Sequence, residues 1–271
     1  MSLISNFFKN HLPYVILIAT IFALSFLTVL FKPVGFDIKE LGGDSNLFGP
    51  SLSAFILLFM IGFYLSYRFY QSPAPRVENR YQLIWGISFL LYSVLFFGMC
   101  LGALGVSFAN MSEAIPFFFW RNMMILWVVG MYIGTMLLFT ENKLAIYIPA
   151  IIIFILCESW FIIRLFILDP DIESTMYGFL FGGFIPVSIT VAYLFFSYGK
   201  DLKLSSAYIL SIGFFLLALT YAAWAPWHAP TKLQYIYYIW FDLFIVSLAF
   251  ILAGFFALPK ETTAKVMAEE N

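Results

Sequence analysis

The stretch YQLIWGISFLLYSVLFFGMCLGAL, residues 81–104, contains no Asp, Glu, Lys or Arg and follows directly on Arg76 and Arg80. As an α-helix rising about 1.5 Å per residue it is long enough to cross roughly 30 Å of hydrocarbon. It lacks the residue-by-residue polar alternation of a membrane barrel strand. Working outward, the same kind of run recurs along the chain. Hydropathy predicts eight spans, at about 13–31, 51–70, 81–104, 115–140, 144–168, 177–198, 205–227 and 235–258, each bounded by charge, Pro or Gly. The expected fold class is therefore all-α, a polytopic membrane helix bundle. Its divisions would be a leading helix with its outer loop (1–50), a seven-helix unit (51–258) and a short tail (259–271).

Composition agrees with that reading. Of 271 residues 63% are hydrophobic and 11% charged, against roughly 25% charged in a soluble domain. Net charge is −1 and the basic residues form no long cluster, so nucleic acid is not an expected partner. Cys100 and Cys157 lie in apolar runs with no Cys or His at ligand spacing and read as small core residues.

Loop charges give an orientation. Lys9, Arg68, Arg76, Arg80, Lys143, Lys200, Lys203, Lys260 and Lys265 fall on one side, and the opposite loops hold Lys32, Lys39 and Lys232. By the positive-inside rule both termini are cytoplasmic, and the plasma membrane is the expected location. The outer loops are acidic, with Asp37, Glu40, Asp44, Glu113, Asp169, Asp171 and Glu173. Lys9 ahead of an apolar run resembles a secretory signal, but the length of the run and the lack of a small-x-small site favour a retained helix. Asn110-Met111-Ser112 matches a glycosylation acceptor on the outer side.

Seven spans after the first also permit a three-plus-one-plus-three order, with 144–168 as linker. Arg80-Tyr81-Gln82-Leu83 with Gly86 and Leu90 overlays Ala207-Tyr208-Ile209-Leu210 with Gly213 and Leu217, and Phe119-Trp120-Arg121-Asn122 overlays Ile239-Trp240-Phe241-Asp242. Repeats of this kind place a binding site between the halves.

Charges at membrane depth are costly and normally face the interior or a partner. Arg121, Glu158, Arg164 and Asp242 qualify. Arg164 is near enough to the surface to snorkel. Asp242 and Arg121 fall roughly 10 Å in from the outer ends of their helices at about 1.5 Å per residue. They are expected to line an interior, outward-facing cavity or to form a buried pair. Tyr235, Tyr238 and Asp242 share a helix face. Tyr221, Trp224, Pro226, Trp227, His228 and Pro230 form an aromatic end to the preceding helix, which also fits an interfacial belt. The candidate ligand-binding set is Arg121, Asp242, Glu158, Tyr238 and Trp224.

These residues resemble the microbial rhodopsin arrangement over about 51–258. The likeness rests on Arg121 within Phe119-Trp120-Arg121 of the third helix, on Tyr221, Trp224 and Pro226 in the sixth, and on Asp242 in the seventh. In that family a retinal-binding lysine follows four residues after the aspartate, where this chain has Val246. The carboxylate three residues after the arginine is here Met124. Retinal attachment and light-driven pumping are therefore not implied; a ligand cavity in a sensory seven-helix scaffold is. The basic loop from Arg68 to Arg80 followed by Trp85 is also similar to the sensory modules that precede histidine kinases.

No nucleophile–base pair or ligand cluster is visible, and the only histidines are His11 and His228. The expectation is a non-enzymatic sensor or receptor for a small ligand, with no cofactor and no metal. Its partners would be membrane lipids and a separate membrane or cytoplasmic protein, or a second copy as a homo-oligomer. A proton-coupled transporter and a structural subunit of a larger membrane complex are the alternatives.

Overall fold

The computed structural model describes residues 48–71, 79–103, 114–166, 178–222 and 234–269. The leading span 13–31, its outer loop, the glycosylation acceptor, the acidic loop 169–173 and the segment from Trp224 to Pro230 lie outside the described residues. So do the side chains of Arg121, Arg164, Tyr235 and Tyr238.

Helices α1 (Phe48–Gln71), α2 (Arg80–Ala103), α3 (Ala114–Phe139) and α4 (Lys143–Phe166) are followed by a π-helical turn, Leu180–Phe184. That turn runs directly into α5 (Ile185–Leu202), and α6 (Ser205–Ala222) and α7 (Gln234–Glu269) complete the chain. All seven contain a stretch long and apolar enough to cross a membrane. The protein is thus a multi-pass helical bundle, and seven of the eight expected spans correspond to described helices. Because the helices alternate in direction, the ends bearing Arg68, Arg80, Lys143, Lys200 and Lys203 gather at one face of the bundle, its basic end.

Neighbours in the bundle run α1–α2–α3–α5–α6–α7 and back to α1, which closes a ring of six. Helix α4 leans on this ring from outside, touching α3 and the π turn. Without a hydrophobic driving force between helices in lipid, close approach depends on small residues. A Cβ on Gly62 of α1 would stand 2.8 Å from the Gly86 carbonyl oxygen of α2, and one on Gly254 of α7 would stand 2.5 Å from Leu210 of α6. Glycine thus sets the spacing of both hairpins, α1/α2 and α6/α7. Helix α4 is seated the same way: a Cβ on Gly183 of the π turn would meet Cys157 Sγ at 2.8 Å.

Turn chemistry accounts for the connections. Asn142 caps α4, its Oδ1 accepting from the Leu144 N–H at 3.0 Å. Between α5 and α6 the chain reverses at Lys203, whose φ of 49° is left-handed, and the Leu204 N–H closes onto the Gly199 carbonyl at 3.0 Å. Pro149 inside α4 cannot donate to the Ala145 carbonyl one turn earlier. The Tyr132 hydroxyl of α3 donates to it instead, at 2.9 Å. A backbone acceptor freed inside a membrane helix is thereby satisfied by a neighbour.

Candidate functional site

Two aromatic clusters fill the ring. Towards the basic end Trp85 of α2 packs on Phe195 of α5 (ring centroids 5.8 Å apart) and on Phe255 of α7 (4.9 Å), and Phe195 lies parallel to Phe214 of α6. The Trp85 indole N–H donates to the Met131 carbonyl at 3.2 Å, so this plug has no polar gap at its largest ring.

The second cluster lies further from the basic end. Tyr92 is twelve residues into α2, about 18 Å along the helix at 1.5 Å per residue. Trp127 of α3 lies flat on it, centroids 3.9 Å apart and planes within 9°. From α6 comes Tyr221, whose ring meets Phe184, the last residue of the π turn, at 3.7 Å and stands edge-on to Trp240 and Phe244 of α7. Phe96 stacks on Phe244 at 5.1 Å. Five helical elements therefore converge on one buried box. The Tyr92 and Tyr221 hydroxyls are hydrogen-bonded to each other. This hydrogen bond joins α2 to α6 side chain to side chain.

Other buried hydroxyls in the spans mostly answer to their own helix. Ser88 donates to the Ile84 carbonyl, Ser93 to Leu90, Thr220 to Leu216 and Ser247 to Phe244. Ser211 crosses from α6 to the Ala192 carbonyl of α5 at 2.7 Å. Trp127 differs: its indole N–H is fully buried and has no hydrogen-bond partner among the described residues. Trp127 also borders a cavity of about 10 Å³ with Met131, Phe184, Val187 and Ser188, room for one water-sized group.

The π turn explains why a space opens there. The Ile185 N–H bonds to the Leu180 carbonyl five residues back, one residue more than in an α-helix. Pro186 follows and could not have bonded to residue 182 in regular helix. Phe184, the last residue of the widened turn, packs on Trp127 and Tyr221 in the box. Such π-bulges recur at functional sites.

Of the expected ligand-binding set, the described residues place the side chains of Asp242 and Glu158. Asp242 is exposed on α7, which corrects the expectation that it lines the interior. The buried face of that helix is Trp240, Phe241, Phe244, Ser247, Leu248, Ile251 and Phe255, and position 242 turns away from it. Glu158 is half-buried on α4, outside the ring and away from the box. It has no hydrogen bond or ion pair among the described residues. The side chains of Arg121 and Tyr238, and Trp224 altogether, lie outside the described residues. Of the aromatic residues singled out from the sequence, Tyr221 and Trp240 are found in the box. Tyr92, Trp127 and Phe184 carry no charge to mark them at membrane depth; the sequence signal for the box is Tyr92, a hydroxyl-bearing ring midway along an uncharged span. No family model, curated protein or solved structure matches the chain.

Proposed function

We propose that this protein is a non-enzymatic membrane sensor or receptor that holds a small ligand against the aromatic box, and that its basic end faces the cytoplasm in the plasma membrane. The observation that carries the reading is the Tyr92–Tyr221 hydroxyl pair inside walls of Trp127, Phe184, Trp240 and Phe244. Ligand sites are typically apolar and aromatic enclosures with a few placed polar groups. Two phenol hydroxyls and an unsatisfied indole N–H are such groups. Ligand entry would part Tyr92 from Tyr221 and so move α2 against α6, a displacement that α2 carries to Arg80 at the basic end.

Transport fits less well. A carrier needs a polar route on both sides of its site, and here Trp85, Phe195, Phe214 and Phe255 fill the ring between the box and the basic end.

The test uses the full chain in lipid nanodiscs. Tryptophan fluorescence and thermal stability are followed against a library of small aromatic and cationic compounds, together with native mass spectrometry of the protein as purified. A retained or added ligand should lose about tenfold in affinity in Tyr92→Phe and Tyr221→Phe, the loss of one hydrogen bond of about 1.4 kcal/mol. Folded variants that bind every retained compound as the wild type does would sink the reading.

A further inference from the structure

The cavity beside Trp127 joins the two aromatic clusters. Its walls take in Trp127 and Phe184 of the box, Phe214 of the plug and Ser188 of α5, so that α3, α5, α6 and the π turn all border it. The lining side chains carry two hydrogen-bond donors, the Trp127 indole N–H and the Ser188 hydroxyl.

Both residues are buried, Trp127 at 1% exposure and Ser188 at 6%, and neither donor is answered by the protein. An indole N–H can only donate. That of Trp85 reaches the Met131 carbonyl, whereas that of Trp127 has no acceptor among the described residues. Ser188 departs from its own kind in the same way. Ser88, Thr135, Thr190 and Thr220 each donate to the carbonyl four residues earlier in their helices. Ser188 makes no such bond to Phe184 and no other among the described residues. Inside a membrane, where bulk water cannot serve, a buried donor left without an acceptor is costly. Two of them on one cavity are met most simply by one shared oxygen.

We propose that this cavity is a binding site for a single water molecule, which bridges the Trp127 indole of α3 to the Ser188 hydroxyl of α5. Size decides the occupant. A volume of about 10 Å³ is the least that admits a water and leaves no room for a larger group. Polarity decides that the site is wet, because a cavity of this kind lined by apolar groups alone stays dry. The water oxygen accepts from the indole N–H, and Ser188, which can both donate and accept, exchanges the second bond. Two protein partners are at the low end of what holds a buried water, so the site depends on both. A ligand of the box that reaches the Trp127 N–H takes the place of this water with an accepting atom of its own.

The experiment uses the full chain in lipid nanodiscs with no added ligand and with nitrogen-15 in its tryptophan indoles. Water-selective NMR reports contact between each indole N–H and a long-lived water, and ultraviolet resonance Raman reports whether that N–H is hydrogen-bonded. The Trp127 signal is assigned by its absence from Trp127→Phe and by its contacts with the Tyr92 ring on which it lies. In the wild type, the Trp127 N–H should be hydrogen-bonded and show a water cross-peak. Ser188→Ala, which removes one partner and keeps the room, should weaken that cross-peak several-fold. Ser188→Val, which also fills the cavity, should abolish it and leave the N–H unbonded. A wild-type Trp127 N–H without water contact overturns the proposal, and this arm needs only the native protein. So does a water cross-peak in folded Ser188→Val as strong as in the wild type. No arm uses a ligand, so failure here and failure of the ligand reading are separate results.

Discussion

Helices α3 and α4 are adjacent in the chain and equal in mean hydropathy over their membrane stretches, yet 72% of the α3 stretch is buried and only 17% of that of α4. In water such a difference would be written in polarity. In lipid it cannot be, because the solvent is as apolar as the core. What separates the two is shape and hydrogen bonding. Helix α3 alternates large rings and thioethers (Met124, Trp127, Met131, Tyr132) with glycines at 130 and 134 that admit neighbouring helices. Helix α4 presents a nearly uniform isoleucine surface. One helix is built to be touched on all sides, the other on one.

The largest test of that contrast is a matched pair of truncations. Trp127→Ala removes a ring that stacks on Tyr92 and packs on Phe89 and Phe184. It should cost about 3–5 kcal/mol in a reversible unfolding assay in mixed micelles. Ile152→Ala on α4, half exposed to lipid, should stay within about 0.5 kcal/mol. Equal losses at the two sites would mean that α3 is not the centre of the bundle.

A smaller effect probes how tightly α3 is held. A Cβ on Gly134 would run into the Trp85 indole, whose N–H is already committed to the Met131 carbonyl. Gly134→Ala should destabilise by about 1–3 kcal/mol through overpacking, and Trp85 fluorescence should shift as the ring is displaced. An unshifted spectrum with full stability would show that the plug has slack and would reopen the case for a passage to the basic end.

How much of this could be read from the chain alone follows from the same contrast. The spans were legible because an uninterrupted apolar run of about 20 residues has few alternatives to a membrane helix. Residues 81–104 appear as α2, Arg80–Ala103, almost unchanged. Facing was not legible. Asp242 looked interior because charge in a membrane normally is. Its neighbours in the helix turn inward instead, and nothing in an all-apolar helix distinguishes Phe241, fully buried, from Val246, exposed. The box was partly legible through Tyr221, at the end of α6 where polar and aromatic residues collect. Trp127 and Phe184 carry no mark in the sequence, since their places in the box depend on how α3 and the π turn Leu180–Phe184 pack together.

The smallest expected effect concerns a hydrogen bond that ties α4 to α3. Tyr132→Phe removes the donor to the Ala145 carbonyl and should cost about 0.6–1.7 kcal/mol, the range of hydrogen bonds between membrane helices. That acceptor is free only because Pro149 has no N–H to offer it. Pro149→Ala restores the internal donor, so in that background Tyr132→Phe should cost close to nothing. The two substitutions are therefore non-additive, and the coupling measured by a double-mutant cycle should approach the whole single-mutant loss. Additive losses would mean that the tyrosine contributes through ring packing alone. Helix α4 would then rest against the ring through its Cys157–Gly183 contact and through shape.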